Sequence, residues 1–522
     1  MLAVSSTSAE DFVIVALPDT QKYTESYPEI YDAQTQWCAD NAVGMNIKFI
    51  THLGDLVEEA ATIPYWEIAS ASMAILDDAG IPYGTCVGNH DLLYPGDYYD
   101  PNGTNYLTYF DPQFYQSQPW FRGASPSGLS NYQVVEADGH EWLFMHLLVE
   151  TPPAELAWAQ EVLNVHRDKP TWISTHRYLF DWRILGAGRY DEFNYTFEPP
   201  YRPDGVRAND FWGNFVSVNR QVYLVHCGHN DGEYRQVSVN AFGKPVHEVL
   251  ADYQDTYGNG GNGWLRILTF RPDQHQIDVQ TYSPYLNDFR TGDESQFSLA
   301  VDFAQYTSDS PLLVFQQGLD GYSGTEDTWV NEDAGGSSYG GSTRIIVDDD
   351  TANSLFNEYE GQGLIRFGNL VRAPVQEGEP APTAIPLGAT IVSATLSINL
   401  ADDTDLGNPQ FYVHRMTRNW DESSTWNSLG GGVDLGVDAD PLRLGAFAGD
   451  NNPDFDSGRS IDVTSAVQLW ANGAPNDGFV ILPERISFND DGIEIYSSED
   501  GDPSLRPSLA VEFIYDVENV AP

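Results

Sequence analysis

Five short polar segments in the first 235 residues carry side chains that can do chemistry together. They read Pro18-Asp19-Thr20-Gln21, Gly54-Asp55, Gly88-Asn89-His90-Asp91, Thr175-His176-Arg177 and Gly228-His229-Asn230-Asp231. Carboxylates, amide oxygens and imidazoles are ligands for divalent cations. Two metal ions sharing a bridging carboxylate need about this set. Asp19 and Gln21, two apart on a turn, can face one ion. Asp55 follows Gly54, which permits a tight turn and lets the carboxylate stand between two ions. Asn89 offers an amide oxygen. His90 points elsewhere and is free to move a proton. His176 and His229 are imidazole ligands, and Asp231 can reach back to the first ion.

Each segment ends an apolar run that reads as a buried strand: FVIVAL, IKFITHL, IPYGTCV, PTWIS and VYLVHC. Successive strand ends therefore bring the polar groups to one rim of a sheet, where α/β folds build sites. Helical spacing is expected over Tyr27–Asn41, Tyr65–Asp78 and Pro153–His166, and further strands near Glu141–Leu148, Val246–Ala251, Gly263–Phe270 and Gln276–Tyr282. The alternation predicts a mixed α/β domain over residues 11–302, with two packed sheets flanked by helices. Two aromatic-rich insertions, Tyr94–Gly123 and Leu179–Asn214, are expected to be ordered lids over the rim. The second carries Arg183, Arg189, Arg202 and Arg207.

Near residue 310 helical periodicity fades, and short β-runs alternate with Gly, Asn, Asp and Ser turns. Residues 311–517 therefore read as an all-β sandwich. Trp329, Trp420, Trp426 and Trp470 are either core residues or rings that stack on sugars. Asp348-Asp349-Asp350 and Asn331-Glu332-Asp333 are either calcium loops or solvated faces.

The ordered set of five motifs resembles the calcineurin-like metallophosphoesterases, whose pattern is D-x-H, GD, GNH, a lone His and GH-x-H. The resemblance implies a four-layer αββα sandwich and two metal sites. The first ion would take Asp19, Gln21, Asp55 and Asp231, and the second Asp55, Asn89, His176 and His229. His90 would be the general acid, Asp91 its orienting neighbour, and Arg177 a contact to phosphoryl oxygens. Gln21 and Asp231 stand where the family has histidine, so the first site becomes all-oxygen. Such a site favours Mn²⁺, Mg²⁺ or Ca²⁺, whereas the imidazole-bearing site suits Zn²⁺, Fe or Mn²⁺. The implied activity is hydrolysis of phosphomonoesters or phosphodiesters by a metal-bridging hydroxide. The second half resembles DNRLRE-type modules related to carbohydrate-binding modules, in segments such as Leu364-Ile365-Arg366-Phe367 and Asn419-Trp420-Asp421-Glu422. That resemblance implies a jelly-roll-like sandwich on an exported protein, with polysaccharide as a partner. The alternative function is a non-catalytic surface or polysaccharide-binding protein with a vestigial phosphoesterase fold.

The net charge is −52, from 77 acidic and 25 basic residues, only four of them lysine (Lys22, Lys48, Lys169 and Lys244). Such a surface repels itself, and about 1 M salt shrinks the Debye length to about 3 Å and relieves it. A salty, extracellular or cell-surface setting is expected, and long nucleic acid is not an expected partner. No basic or apolar leader follows Met1, and no run is long and apolar enough to span a bilayer. Cys38, Cys86 and Cys227 are too few for a disulfide framework. His52, His146 and His226 read as buried or supporting histidines. His140, His166, His247 and His275 read as surface residues.

Overall fold

The computed structural model describes residues 10–96, 98–182, 186–190, 201, 204–254, 258–307, 310–348, 360–375, 382–403, 410–449, 457–484 and 492–515. Arg183, Arg202, Asp349, Asp350 and residues 516–517 of the expected second domain lie outside them. The chain divides into two compact units, residues 1–309 and 310–522.

Two seven-stranded sheets build the first unit. In one, Phe12–Leu17 pairs in parallel with Ile47–His52, which pairs in parallel with Tyr83–Thr85. On its other edge Phe12–Leu17 meets Leu265–Arg271 antiparallel. In the second sheet His140–His146, Thr171–Ser174, Val222–Cys227 and Pro245–Asp252 run parallel, in that order. Gly232–Val239 returns antiparallel along the edge of Pro245–Asp252. Parallel strands buried on both faces read as continuous apolar runs, which is how these appear in the sequence.

The layers follow from where the apolar side chains meet. Phe12, Ile14 and Phe49 pack against Phe144, Trp172 and Tyr223 between the sheets. The outer face of the first sheet buries Ile30 and Tyr31 of helix Pro28–Asn41 and Trp66, Met73 and Leu76 of helix Ile63–Asp78. The outer face of the second buries Ala159, Val162 and Leu163 of helix Pro153–Val165. Helix, sheet, sheet and helix are thus stacked in order. Two elements differ from the reading above. Gln21 opens a short helix, Gln21–Ser26, rather than lying on a turn. Asn131–Ala137 forms an unexpected strand, hairpinned to His140–His146 through Asp138 and Gly139 at φ 53° and 72°. An Asp-Gly pair in the left-handed region is the signal of a two-residue hairpin.

Among the described residues the second unit has a sheet of six strands, a sheet of five, a two-stranded pairing of Val371–Arg372 with Ile385–Pro386, and one α-helix, Thr464–Ala471. The pairings inside the two larger sheets are antiparallel. Their facing sides share one apolar core containing Leu396, Ile398, Phe411, Val413, Ile481 and Val511. Trp329, Trp420, Trp426 and Trp470 are all buried. They are core residues, so the sugar-stacking option is withdrawn for these four rings. Asn331 Oδ1 is used locally, accepting from Asp333 N–H. His247, expected at the surface, is buried, with Nε2 3.0 Å from the Ala300 carbonyl.

Candidate metal centre

The five segments emerge from the C-terminal ends of parallel strands, and backbone hydrogen bonds lock them together. Thr20 N–H donates to the Asp55 carbonyl at 3.1 Å, and Gly228 N–H to the His176 carbonyl at 3.1 Å. Asp55 and His229 are held at φ 51° and 69°. Non-glycine residues pay of order 1–3 kcal/mol for such backbone and persist where the surroundings over-determine them, often at functional sites. Gly54, at φ 104°, has no alternative residue: a Cβ there would sit 2.5 Å from His176 Nδ1.

One group of ligand atoms is already assembled. Atoms of Asp55, His176 and His229 all lie within 4.8 Å of one another. His176 Nε2 is 3.2 Å from Asp55 Oδ2 and 3.0 Å from Asn89 Oδ1. His176 Nδ1 faces the Leu53 carbonyl at 2.9 Å. A carbonyl only accepts, so Nδ1 carries the proton and Nε2 is the nitrogen turned toward the carboxylate and amide oxygens. The expected second site, Asp55, Asn89, His176 and His229, is therefore brought together. Asp55 is further oriented by His90 N–H, which donates to Oδ1 at 2.8 Å.

Asp19 lies beside this group, and Gln21 follows it two residues on. Asp19 Oδ2 accepts from His229 N–H at 3.0 Å. Asp19 Oδ1 and Gln21 Oε1 are buried with no hydrogen-bond partner among the described residues. Buried acceptors without donors are costly unless something else satisfies them, and a cation does. Asp231 is half-buried in the same turn as His229. Sequence reasoning missed Asp252, the last residue of Pro245–Asp252 and fully buried. Its register partner is Gly232, which directly follows Asp231.

The electrostatics describe carboxylates crowded into a dry place. Burial raises Asp19 well above the usual carboxylate range, and Asp252 and Asp55 raise it further against the opposing His229 N–H. Burial, opposed by the Gln254 N–H and reinforced by Asp231, pushes Asp252 up to about 8. Burial alone would raise Asp55, but His176 and His90 outweigh it and hold that carboxyl below the usual range. For His176, burial opposes the charged ring, yet the Asp55 carboxylate and the Leu53 carbonyl hold its pKa up. His229 is driven well down by burial and by His176. Among the described residues, no lysine or arginine pairs with Asp19, Asp55 or Asp252. A low-dielectric cluster of this kind favours a bound cation.

One expected role changes. His90 Nδ1 lies 2.6 Å from the Glu58 carbonyl, so that carbonyl, not Asp91, orients the ring. Asp91 instead accepts from Val57 N–H at 3.1 Å and Gly88 N–H at 2.8 Å, tying the loop after Asp55 to the loop that carries Asn89. Arg177 Nη1 donates to Glu150 at 2.5 Å, and its guanidinium lies 4.1 Å over the Tyr190 ring. Arg177 thus packs in a wall beside His229 with the buried Glu150 carboxylate as its partner. Tyr201 extends that wall: its N–H donates to Glu150 at 3.0 Å, and its hydroxyl is 3.5 Å from His229 Nε2. Tyr201 packs edge-on to Tyr99, so both insertions reach the rim. Arg189, in contrast, is held by Glu248 at 2.7 Å, on the fold side. His52 supports from below, with Nε2 3.0 Å from Thr20 Oγ1 and burial holding its pKa down at about 3.

No protein-family model matches the chain. A stretch of 303 residues, 56% of this chain, is 32% identical to the uncharacterized protein YvnB of Bacillus subtilis (strain 168). The chain spans about a fifth of the length of that relative, 22% of it. Among solved structures, the purple acid phosphatase PPD1 from yellow lupin seeds is similar over 57% of this chain and 55% of its own, at 16% identity and TM-score 0.38. A dimetal phosphatase from Danio rerio is similar over 55% of this chain and 98% of its own, at 10% identity and TM-score 0.33. The protein TT1561 of Thermus thermophilus is similar over 55% and 99%, at 13% identity and TM-score 0.28.

Proposed function

We propose that this chain is a metal-dependent phosphoesterase acting on small phosphomonoesters or phosphodiesters. The observation that carries the reading is the buried convergence of Asp55, His176 and His229 ligand atoms within 4.8 Å, with Asn89 Oδ1 at the same histidine nitrogen. The residues present suit two ions: Asp55, Asn89, His176 and His229 for one, and Asp19, Gln21, Asp55 and Asp231 for the other. When bound, such a pair supplies positive charge against a phosphoryl group and makes water a stronger acid.

The chain's own residues do the rest. Leu53 and Asp91 fix the ligand loops before substrate arrives. The Glu58 carbonyl keeps the proton on His90 Nδ1, so a second proton, when the ring is charged, sits on Nε2 for transfer to a leaving oxygen. Tyr190 and Tyr201, backed by Arg177 and Glu150, narrow the rim beside His229 and exclude water from that side. The −52 net charge supports a salty exterior setting and a small substrate rather than long nucleic acid.

The test uses the full chain stripped with chelator, then assayed on an aryl phosphomonoester and diester with added Mn²⁺. Turnover that needs metal and is lost in Asp55→Ala and His90→Ala supports the reading. Metal binding without turnover on either substrate overturns it in favour of a non-catalytic binding protein.

A further inference from the structure

We propose that Asp252, buried at the end of strand Pro245–Asp252 against the Gly228–Asp231 turn, is a further oxygen ligand of the ion that Asp19 helps to hold. The inference rests on the dinuclear reading above and adds a residue to it.

Strand register places the carboxylate. Val222–Cys227 and Pro245–Asp252 run parallel with Cys227 opposite Leu250. Gly228 and His229 therefore leave their strand level with Ala251 and Asp252. The chain turns through Asn230 and Asp231 and returns with Gly232 opposite Asp252. The turn that carries His229 and Asp231 thus lies directly across the end of the Asp252 strand. Asp19 reaches the same turn from the other sheet. Its Oδ2 accepts from His229 N–H, and a Cβ on Gly228 would sit 3.1 Å from Asp19 Cγ. A Cβ on Gly261 would lie 2.9 Å from Tyr23 Oη and 3.1 Å from the Tyr253 backbone carbonyl, so the hydroxyl carried by helix Gln21–Ser26 and the residue that follows Asp252 meet at the same glycine.

The side chain is prepared as a ligand would be. Asp252 Oδ1 accepts from Gln254 N–H at 3.1 Å and Oδ2 from Gln254 Nε2 at 3.2 Å. Each carboxylate oxygen keeps a second lone pair, and ligating carboxylates are commonly held by such outer hydrogen bonds. An unpartnered, buried oxygen independent of Asp252 lies at the same turn, Asp19 Oδ1, on a residue 3% exposed, and two residues on, Gln21 Oε1, on a residue 2% exposed, is buried and unpartnered as well. Neither is explained by a donor among the described residues. With Asp252 the set becomes Asp19, Gln21, Asp55, Asp231 and Asp252, all oxygen. That composition selects a hard cation, Mn²⁺, Mg²⁺ or Ca²⁺, over Zn²⁺. Asp252 is the fourth carboxylate of that set and adds negative charge that a neutral imidazole ligand would not.

The test is Mn²⁺ titration of the chelator-stripped full chain by calorimetry and by electron paramagnetic resonance, for the parent, Asp252→Asn and Gln254→Met. The parent should bind two ions. Asp252→Asn should keep one affinity and lose about 10- to 100-fold at the other, with Mn²⁺ preference over Zn²⁺ falling at that site. Gln254→Met retains the carboxylate and the backbone N–H bond to Oδ1, loses the Nε2 bond to Oδ2 and should show a smaller loss, which keeps the proposal testable if Asp252→Asn does not fold. Metal-free Asp252→Asn should melt no lower than the parent, since a carboxylate among carboxylates is removed; a purely structural acid would give a lower melt. Two unchanged Mn²⁺ affinities in both variants overturn the assignment and leave the dinuclear reading standing. A parent that binds no divalent ion overturns the dinuclear reading itself.

Discussion

Gly228→Ala isolates the position of one ligand from the stability of the fold. Gly228 is not among the residues with positive φ, so alanine meets no backbone penalty there. The added Cβ would overlap Asp19 Oδ1 and lie 3.1 Å from Asp19 Cγ. Carbon atoms in contact prefer about 3.5–4.0 Å, so the carboxylate must retreat by about 0.5 Å or more. Metal–ligand distances hold within about 0.2 Å, so the shift exceeds the tolerance of a coordination bond at least twofold. It also pulls Asp19 Oδ2 away from His229 N–H. Overpacking should cost about 1–3 kcal/mol of stability, and affinity for one of two ions should fall at least about tenfold. The control is Gly84→Ala, also free of backbone penalty, whose Cβ would sit 2.6 Å from Gln133 Oε1 and against the His146 ring. It overpacks the fold away from the proposed ligands. Calorimetric Mn²⁺ titration and thermal melting of both variants separate the effects: Gly84→Ala should melt lower and bind as the parent does. Equal Mn²⁺ affinities in Gly228→Ala and the parent, or equal losses in both variants, refute the placement of Asp19 as a ligand.

Glu150→Gln removes the carboxylate that holds both Arg177 and the Tyr201 backbone; it should cost roughly 3–5 kcal/mol and speed proteolysis around residue 201 while Mn²⁺ affinity stays unchanged. In the second unit burial, reinforced by Glu499, pushes Asp327 up to about 8, and it accepts from Ser498 N–H at 2.8 Å. The folded state then holds a proton that the unfolded chain, titrating near 3.8, releases, so this unit should lose stability as pH rises from about 4 to about 8, by at most about 1.4 kcal/mol per pH unit. Asp327→Asn should flatten that slope in pH-resolved melting, and an unchanged slope would rule the group out. The melting temperature should climb between 0.1 and 1 M KCl, by about 2–4 °C per kcal/mol of relieved repulsion; sucrose at matched osmolality should not reproduce it, and a flat KCl response removes the salt adaptation.

What the sequence revealed and what it hid divide along local and tertiary lines. The ligand segments were legible because a buried parallel strand is a continuous apolar run, and a polar, glycine-bearing break marks its end within a few residues. Asp252 ends a strand of the same kind, but neither glycine nor histidine accompanies it, and only its register with Gly232 brings it to the rim. Gln21 was legible as a ligand candidate but not as a helix start, since six residues before Pro28 give little periodicity. Asp138-Gly139 announced a hairpin in a recognised code, and the Asn131–Ala137 strand was legible but unread. The role of Asp91 was beyond local reasoning. A carboxylate beside a histidine is equally able to orient the ring or to tie two loops, and only the positions of Val57 and Gly88 decide. The four tryptophans of the second unit were open for the same reason, because burial is settled by which sheet face the strand turns inward.

The rim should also make the first unit's stability depend on metal. Asp55 and His229 occupy left-handed backbone, and Asp19, Asp55 and Asp252 are buried with no lysine or arginine paired to them among the described residues. Each strained residue costs of order 1–3 kcal/mol, and like charges at close range add to it. The rim is therefore unfavourable on its own, and a cation bound only by the folded state offsets it by RT ln(1 + [M]/Kd), about 2.7 kcal/mol at a hundred times Kd. The second unit has its own apolar core. Chelator should lower the melting transition of the first unit and leave that of the second in place, and Mn²⁺ should restore the first in a concentration-dependent way. Asp55→Ala should abolish the Mn²⁺ response without a comparable loss in the metal-free melt, because removing one buried carboxylate relieves its neighbours. If chelator and Mn²⁺ leave both transitions unmoved, the convergence of these side chains is structural, and the charge they bury must be neutralised by protons alone.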